Sequence, residues 1–181
     1  MKTEVDIGTI LIAKPFMEDK RFEKTIILIV ESNSEGTIGF IINKKIPSTI
    51  DEIITDFPQS NVQVKYGGPV STNNLFFIHQ HPDLIMNSQK IQTGMFWGGE
   101  LEDVIQKCKS GEIAIDEILF FLGYTGWEEN QLEDEIEEGS WMIHNANLKK
   151  LNHDLDWSKL LIDINKEYEV WATAPSNFHL N

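Results

Sequence analysis

Two hydrophobic periods alternate along this chain. Residues 9–13 (TILIA), 25–31 (TIILIVE) and 37–43 (TIGFIIN) are short β-branched runs, apolar at nearly every position. They read as strands covered on both faces. Lys14-Pro15 stops the first, since proline fixes φ and lacks a donor. The second and third flank a polar connection, residues 32–36 (SNSEG), and so read as a hairpin. With Glu31 opposite Thr37, Lys24 falls opposite Lys44. Gly39, inside the third strand, marks a bulge or a close backbone approach. Residues 16–24 form a connector anchored by Phe16 and Phe22.

Residues 49–57 switch to helical spacing. Ile50, Ile53, Ile54 and Phe57 share one face, Thr49 and Glu52 make a capping box, and Pro58 ends the helix. Residues 62–66 and 75–79 return to strand, joined by the turn Gly67-Gly68-Pro69-Val70, and residues 93–97 make a weaker strand. The clearest helix spans residues 100–110. Leu101, Val104, Ile105 and Cys108 form its apolar stripe, acids fill its first turn, lysines its last, and Gly111 follows. Residues 140–144 read as a strand. Asp156 caps a last helix with Trp157, Leu160, Leu161, Ile164 and Tyr168 on one face, and an irregular tail begins at residue 172.

The most distinctive stretch is residues 116–141, DEILFFLGYTGWEENQLEDEIEEGSW. The run from Ile118 through Leu122 suits a strand buried on both faces or a buried helix. Gly123 and Gly126 bracket Tyr124 and Thr125 as a turn signal, and Gly126→Val is expected to destabilise strongly. The acidic helix that follows has only Leu132 and Ile136 on its inner stripe. Glu128 and Glu129 are expected in its first turn, and Gly139 closes it.

At 181 residues the chain suits one domain with a substantial core. Strands and helices interleave without a regular βαβ rhythm, which predicts an α+β fold. No apolar stretch is long enough to span a membrane, and the opening residues lack an apolar signal core. A single cysteine, Cys108, excludes an internal disulfide and suits a reducing compartment; its place on a buried stripe makes it a packing residue. The net charge is −14, of which −11 falls between Glu100 and Glu138. Such a charge disfavours direct nucleic-acid binding at long range.

Candidate chemistry is sparse. His79 and His81 lie at strand spacing, but no carboxylate or cysteine cluster completes a metal site. There is no GxSxG nucleophile elbow, and the Gly67-Gly68 turn lacks phosphate-loop spacing. No catalytic residue, metal ligand or cofactor is assigned. The hairpin register gathers Lys14, Lys20, Arg21, Lys24, Lys44 and Lys45 toward one open end. A candidate anion- or nucleotide-binding site therefore comprises Lys14, Arg21, Lys24, Asn43 and Lys44 with the turns at Gly67-Gly68 and Gly123-Tyr124-Thr125-Gly126.

Leu11-Ile12-Ala13-Lys14-Pro15-Phe16-Met17-Glu18-Asp19, Phe22, Glu31 and Gly36-Thr37-Ile38-Gly39-Phe40-Ile41-Ile42-Asn43 lead a series of motifs. Gly67-Gly68-Pro69-Val70, Leu122-Gly123-Tyr124-Thr125-Gly126-Trp127, Gln131-Leu132-Glu133 and Trp141 complete it. In that order these motifs resemble the bacterial AlgH/YqgE family over nearly the whole chain. The resemblance implies one AlgH-like α+β domain over residues 1–181, with a mixed, partly barrel-like β-sheet core and flanking helices. It also implies a family labelled as transcriptional regulators, without established catalytic residues. The expectation is a non-enzymatic cytoplasmic regulatory or interaction protein without a cofactor, acting on a protein or small-molecule partner and not by direct DNA contact. The alternative is the anion- or nucleotide-binding domain, as a binding protein or an enzyme, centred near Asn43.

Overall fold

In a computed structural model, residues 5–144 and 154–173 are described. Their organisation turns on one shared strand. Strands β1 (Ile10–Ala13), β2 (Ile26–Asn33) and β3 (Gly36–Ile41) form an antiparallel meander, with β10 (Trp141–His144) on the free side of β1. A second unit comprises β4 (Lys45–Thr49), β5 (Gln63–Tyr66), β6 (Val70–His79) and the hairpin of β7 (Gln89–Gln92) and β8 (Met95–Trp97). Strand β9 (Leu119–Trp127) joins the two. One of its edges runs along β6. The other is first parallel to β5, at Lys65↔Phe121 and Tyr66↔Leu122, then antiparallel to β3, from Gly39↔Thr125 to Thr37↔Trp127.

The strand order is β10-β1-β2-β3-β9-β6-β8-β7, with β5 and β4 branching from β9. The α+β class holds, but the sheet is not closed into a barrel; β10 and β7 stand at opposite ends of the path.

The change of partner on β9 explains its glycines. The segment Gly123–Gly126, expected as a turn, continues the strand. Gly123 sits at φ +72°, the left-handed region that favours glycine, where β9 leaves β5 and meets β3. Gly67 and Gly68 cross against it backbone to backbone. A Cβ at Gly67 would strike the Gly123 carbonyl oxygen, one at Gly68 the Tyr124 carbonyl, and one at Gly123 would lie 2.8 Å from the Val70 carbonyl oxygen.

The expected hairpin register holds at Ile27↔Ile41, Leu28↔Phe40 and Ile29↔Gly39. A bulge between Ile29 and Glu31 then shifts it, so Glu31 pairs with Ile38 and not Thr37. The strands also run further than expected, leaving Ser34-Glu35 as the connection. The all-apolar strands are covered on both faces. From β2, Ile26, Leu28 and Val30 enter one core cluster with Phe40, Phe121 and Trp157, while Ile27 and Ile29 enter another with Leu11, Trp127 and Trp141. A third cluster packs Val64, Phe77 and Phe120 against Val104, Ile105 and Cys108 of helix α2 (Leu101–Ser110).

Helix α2 follows its sequence signals, ending on Gly111 at φ +76°. Three other helices are shorter than expected. Helix α1 (Ile50–Ile53) is a single turn, although its Thr49/Glu52 capping box is present. Helix α3 (Gln131–Glu137) starts after Asn130 at φ +63°, so Glu128 and Glu129 precede it, and Glu133 and Asp134 occupy its first turn. Helix α4 (Trp157–Ile164) is capped by Asp156, which accepts from Ser158 N and Lys159 N, but it stops at Asn165. Tyr168 closes a separate 3-10 turn ahead of α5 (Glu169–Ala172), so the expected tail begins later; residues 174–181 lie outside the described residues. The edge strand β7 was not expected, because Gln89-Lys90-Ile91-Gln92 carries one apolar residue. Among the described residues, no helix is long and apolar enough to cross a membrane.

Candidate binding groove

The β2–β3 hairpin and the end of β9 meet where Gly36 lies against the Trp127 carbonyl; a Cβ there would collide with that oxygen. This close approach opens a groove of about 570 Å³ between the hairpin, the start of β6 and the residues leading into α3. Ile38, Val70, Tyr124 and Trp127 supply its apolar surface. Glu31, Asn33, Glu35, Glu128 and Gln131 make it acidic and polar. Gly126 is exposed on its wall.

Several of these residues are held in place. The Tyr124 ring meets Phe76 edge-on at 5.6 Å. Trp127 Nε1 and Trp141 Nε1 both donate to Glu135 Oε2, at 3.0 and 2.8 Å. Gln131 donates to Glu135 Oε1 at 3.1 Å and accepts from Glu128 N at 3.0 Å. On the hairpin, Asn33 donates to Glu31 Oε1 at 2.9 Å and accepts from Glu35 N at 2.7 Å. The polar groups are thus oriented before any ligand arrives, which lowers the ordering cost of binding.

The residues expected to form one anion site divide between different places. Lys24 and Asn43 line a recess of about 470 Å³ with Lys45, Asp154, Trp157, Ser158 and Lys159. The Asn43 side chain accepts from Ile26 N at 2.8 Å and donates to Lys24 O at 2.9 Å, bonds that secure the start of β2. Lys24 Nζ lies 5.7 Å from the centre of the Trp157 ring. Lys44 donates to Arg21 O at 3.1 Å, and burial pushes its ammonium pKa down. Arg21 forks onto Asp19 at 2.6 to 3.0 Å, which holds that carboxyl below the usual carboxylate range. Lys45 pairs with Asp154 at 2.7 Å, and Lys20 lies 3.8 Å from Glu23. Lys14 lines a separate hollow with Glu135 and Glu138. Gly67, Gly68 and Gly123 belong to the strand crossing, whereas Tyr124 and Gly126 belong to the groove.

His79 is fully buried. Its Nε2 donates to Gly98 O at 3.1 Å and its Nδ1 accepts from His81 N at 3.1 Å, so both ring nitrogens serve the fold in the neutral state. Burial pushes its pKa down to about 4. His81 Nε2 lies 3.3 Å from Glu117 Oε2, a contact that becomes an ion pair when the ring is protonated. Burial pushes the Cys108 thiol up to about 11, which disfavours the reactive thiolate.

One buried charge escaped sequence reasoning. Lys65, in β5, is 2% exposed. Burial, reinforced by the nearby Lys45, pushes its pKa down to about 8. The available signal was its position between Val64 and Tyr66 in a strand that had been expected from the pattern.

These features define an α+β protein with an open, branched sheet and a preorganised groove at the junction of its halves. The AlgH-like family pattern matches residues 10–171, and the chain belongs to that family. It is 35% identical over 171 residues to a UPF0301 protein of Chlorobaculum parvum, covering 93% of this chain and 91% of the relative. A UPF0301 protein of Cytophaga hutchinsonii is 33% identical over 178 residues, covering 96% and 98%. The solution structure of the AlgH protein from Pseudomonas aeruginosa superposes with a TM-score of 0.71 at 24% identity, covering 97% of this chain and 99% of that one. A Corynebacterium diphtheriae protein crystal structure gives 0.76 at 20% identity, covering 96% and 95%.

Proposed function

We propose that this protein is a non-catalytic cytoplasmic interaction protein, whose working surface is the groove at the β3–β9 junction. Its partner is a protein segment that is basic and carries an apolar anchor. One observation carries this reading: the family motifs converge on the groove. Gly36-Thr37-Ile38, Val70, Tyr124, Gly126-Trp127 and Gln131, far apart in the chain, line it together. Glu31, Glu35 and Glu128 add negative charge around the apolar surface of Ile38, Val70 and Tyr124. That arrangement favours a cationic segment through steering and an apolar side chain through burial. The net charge of −14 repels nucleic acid at long range, so any regulatory role runs through protein contact.

The test is selection from a random peptide display library on the intact protein. The reading expects enrichment of basic sequences with an aromatic or aliphatic anchor. It also expects loss of their binding in the Glu31→Lys, Glu128→Lys double variant. Enriched peptides that bind both forms equally, or no enrichment at all, would refute it.

The recess beside Asn43 supports a second reading, a small-anion site. Lys24, Lys45 and Lys159 line it, against Asp154 and Asp156. A thermal-shift panel of nucleotides and phosphorylated metabolites decides this reading, because a ligand that binds only the folded state raises the melting temperature. A panel without any such rise would remove it.

A further inference from the structure

A second hollow, of about 400 Å³, lies at the far end of α3 from the groove. Phe16, Met17 and Phe22 of the connector after β1 line it, with Glu135 and Glu138 from the helix. Groove and hollow meet through α3. Gln131, Glu135 and Glu138 stand at i, i+4 and i+7, so they share one face of the helix. Gln131 lines the groove and Glu138 the hollow. Glu135 links them. It lines the hollow, and its carboxylate accepts from two groove residues, Trp127 Nε1 at 3.0 Å and Gln131 at 3.1 Å.

Phe16 gives the hollow a recognition surface. It sits at φ +67°, a conformation that bulky residues rarely take. Its ring is 52% exposed, with Trp171 edge-on at 4.8 Å. The same lining carries the exposed acids Glu18 and Glu138. An aromatic face beside carboxylates suits a lysine or arginine side chain, through cation–π contact and charge together. Lys14 also lines the hollow and opposes such a guest.

We propose, building on the groove as the working surface, that the hollow is its second subsite. One extended basic segment of a partner protein seats its apolar anchor in the groove and a cationic side chain against Phe16 and Glu138. From Gln131 to Glu138 the helix rises about 10 Å. An extended chain covers that distance in about three residues, so anchor and cation should stand about three to four positions apart.

The experiment takes peptides enriched on the intact protein from a library long enough to span both subsites. Fluorescence anisotropy measures each full peptide and its half that holds only the apolar anchor. Glu137→Lys is the reference, because it makes the same charge change off the shared face of α3. Relative to it, Glu138→Lys should weaken the full peptide about threefold or more and leave the half-peptide unchanged. Phe16→Ala should likewise weaken only the full peptide, and Lys14→Met should strengthen it about twofold. Full peptides that lose binding in the Glu31→Lys, Glu128→Lys variant, yet respond to Glu138→Lys no more than to Glu137→Lys and are indifferent to Phe16→Ala, would overturn the second subsite and leave the groove standing. Peptides indifferent to the groove variant as well would overturn both.

Discussion

Replacing Lys65 by methionine tests how the fold tolerates a charge in its sheet. The ammonium of Lys65 is held where burial and Lys45 bring its pKa from 10.5 to about 8. Each unit corresponds to ~1.4 kcal/mol, so the charged form costs the folded state ~3 kcal/mol relative to the unfolded chain. The sign follows from proton binding. Between about pH 8 and 10.5 the unfolded chain binds the Lys65 proton and the folded protein does not, so stability rises with pH through that window. Below it, both states are protonated and the full penalty applies. Methionine has a similar length, fills the same space and never ionises. The Lys65→Met variant should therefore be more stable than wild type by ~3 kcal/mol near pH 7, with the advantage shrinking to the packing difference alone by about pH 10.5. Urea unfolding of both proteins at a series of pH values measures the difference curve and cancels the titrating groups that do not interact with Lys65. A difference that stays constant across this range would refute the account, because it would show that Lys65 titrates in the folded protein as it does in the unfolded chain.

Other consequences concern the strand crossing, the tryptophan anchor and the buried histidine. Gly123→Ala should cost about 3 kcal/mol in urea unfolding, through a positive φ and a Cβ driven against the Gly68 and Val70 carbonyls. Gly126→Ala should cost less than about 1 kcal/mol, because that residue is exposed and extended, and its Cβ meets only the Tyr124 ring at 3.2 Å. A larger loss at Gly126 than at Gly123 would contradict the crossing. Glu135→Ala leaves the Trp127 and Trp141 indole N–H groups without their shared acceptor, and should cost about 2 to 3 kcal/mol with a red-shifted tryptophan emission; Glu135→Gln should restore most of it. His79, neutral in the fold with a pKa of about 4 against 6.5, should make the protein lose ~3 kcal/mol as pH falls from about 6.5 through 4. His79→Gln should flatten that slope in urea unfolding, and an unchanged slope would count against it.

Much of the local structure was written in the order of residues. Helix α2 carries its own acids, lysines, stripe and closing glycine, and it forms where those signals place it. The fully apolar strands β1, β2 and β3 had to be covered on both faces, and they are. The motifs also pointed to the AlgH-like family, whose pattern matches residues 10–171. The same local rules misjudged residues 123–126, expected as a turn because two glycines bracket Tyr124 and Thr125; they continue strand β9.

Tertiary pairing decided the rest. Gly123 bends a strand that exchanges β5 for β3, and a change of partner leaves no mark in local periodicity. The groove exists because Gly36 lets a hairpin approach a carbonyl some ninety positions along the chain, and the lysines expected at one site divide, Lys24 and Lys45 lining the recess beside Asn43 while Lys44 turns to the Arg21 carbonyl oxygen and Lys14 lines a separate hollow. Burial acts likewise: a lysine in a strand has an ordinary amine until a second cation is set beside it and water is removed, as happens only when β4, β5 and β9 pair. Local propensity depends on neighbours in sequence, but charge, enclosure and close backbone approach depend on neighbours in space.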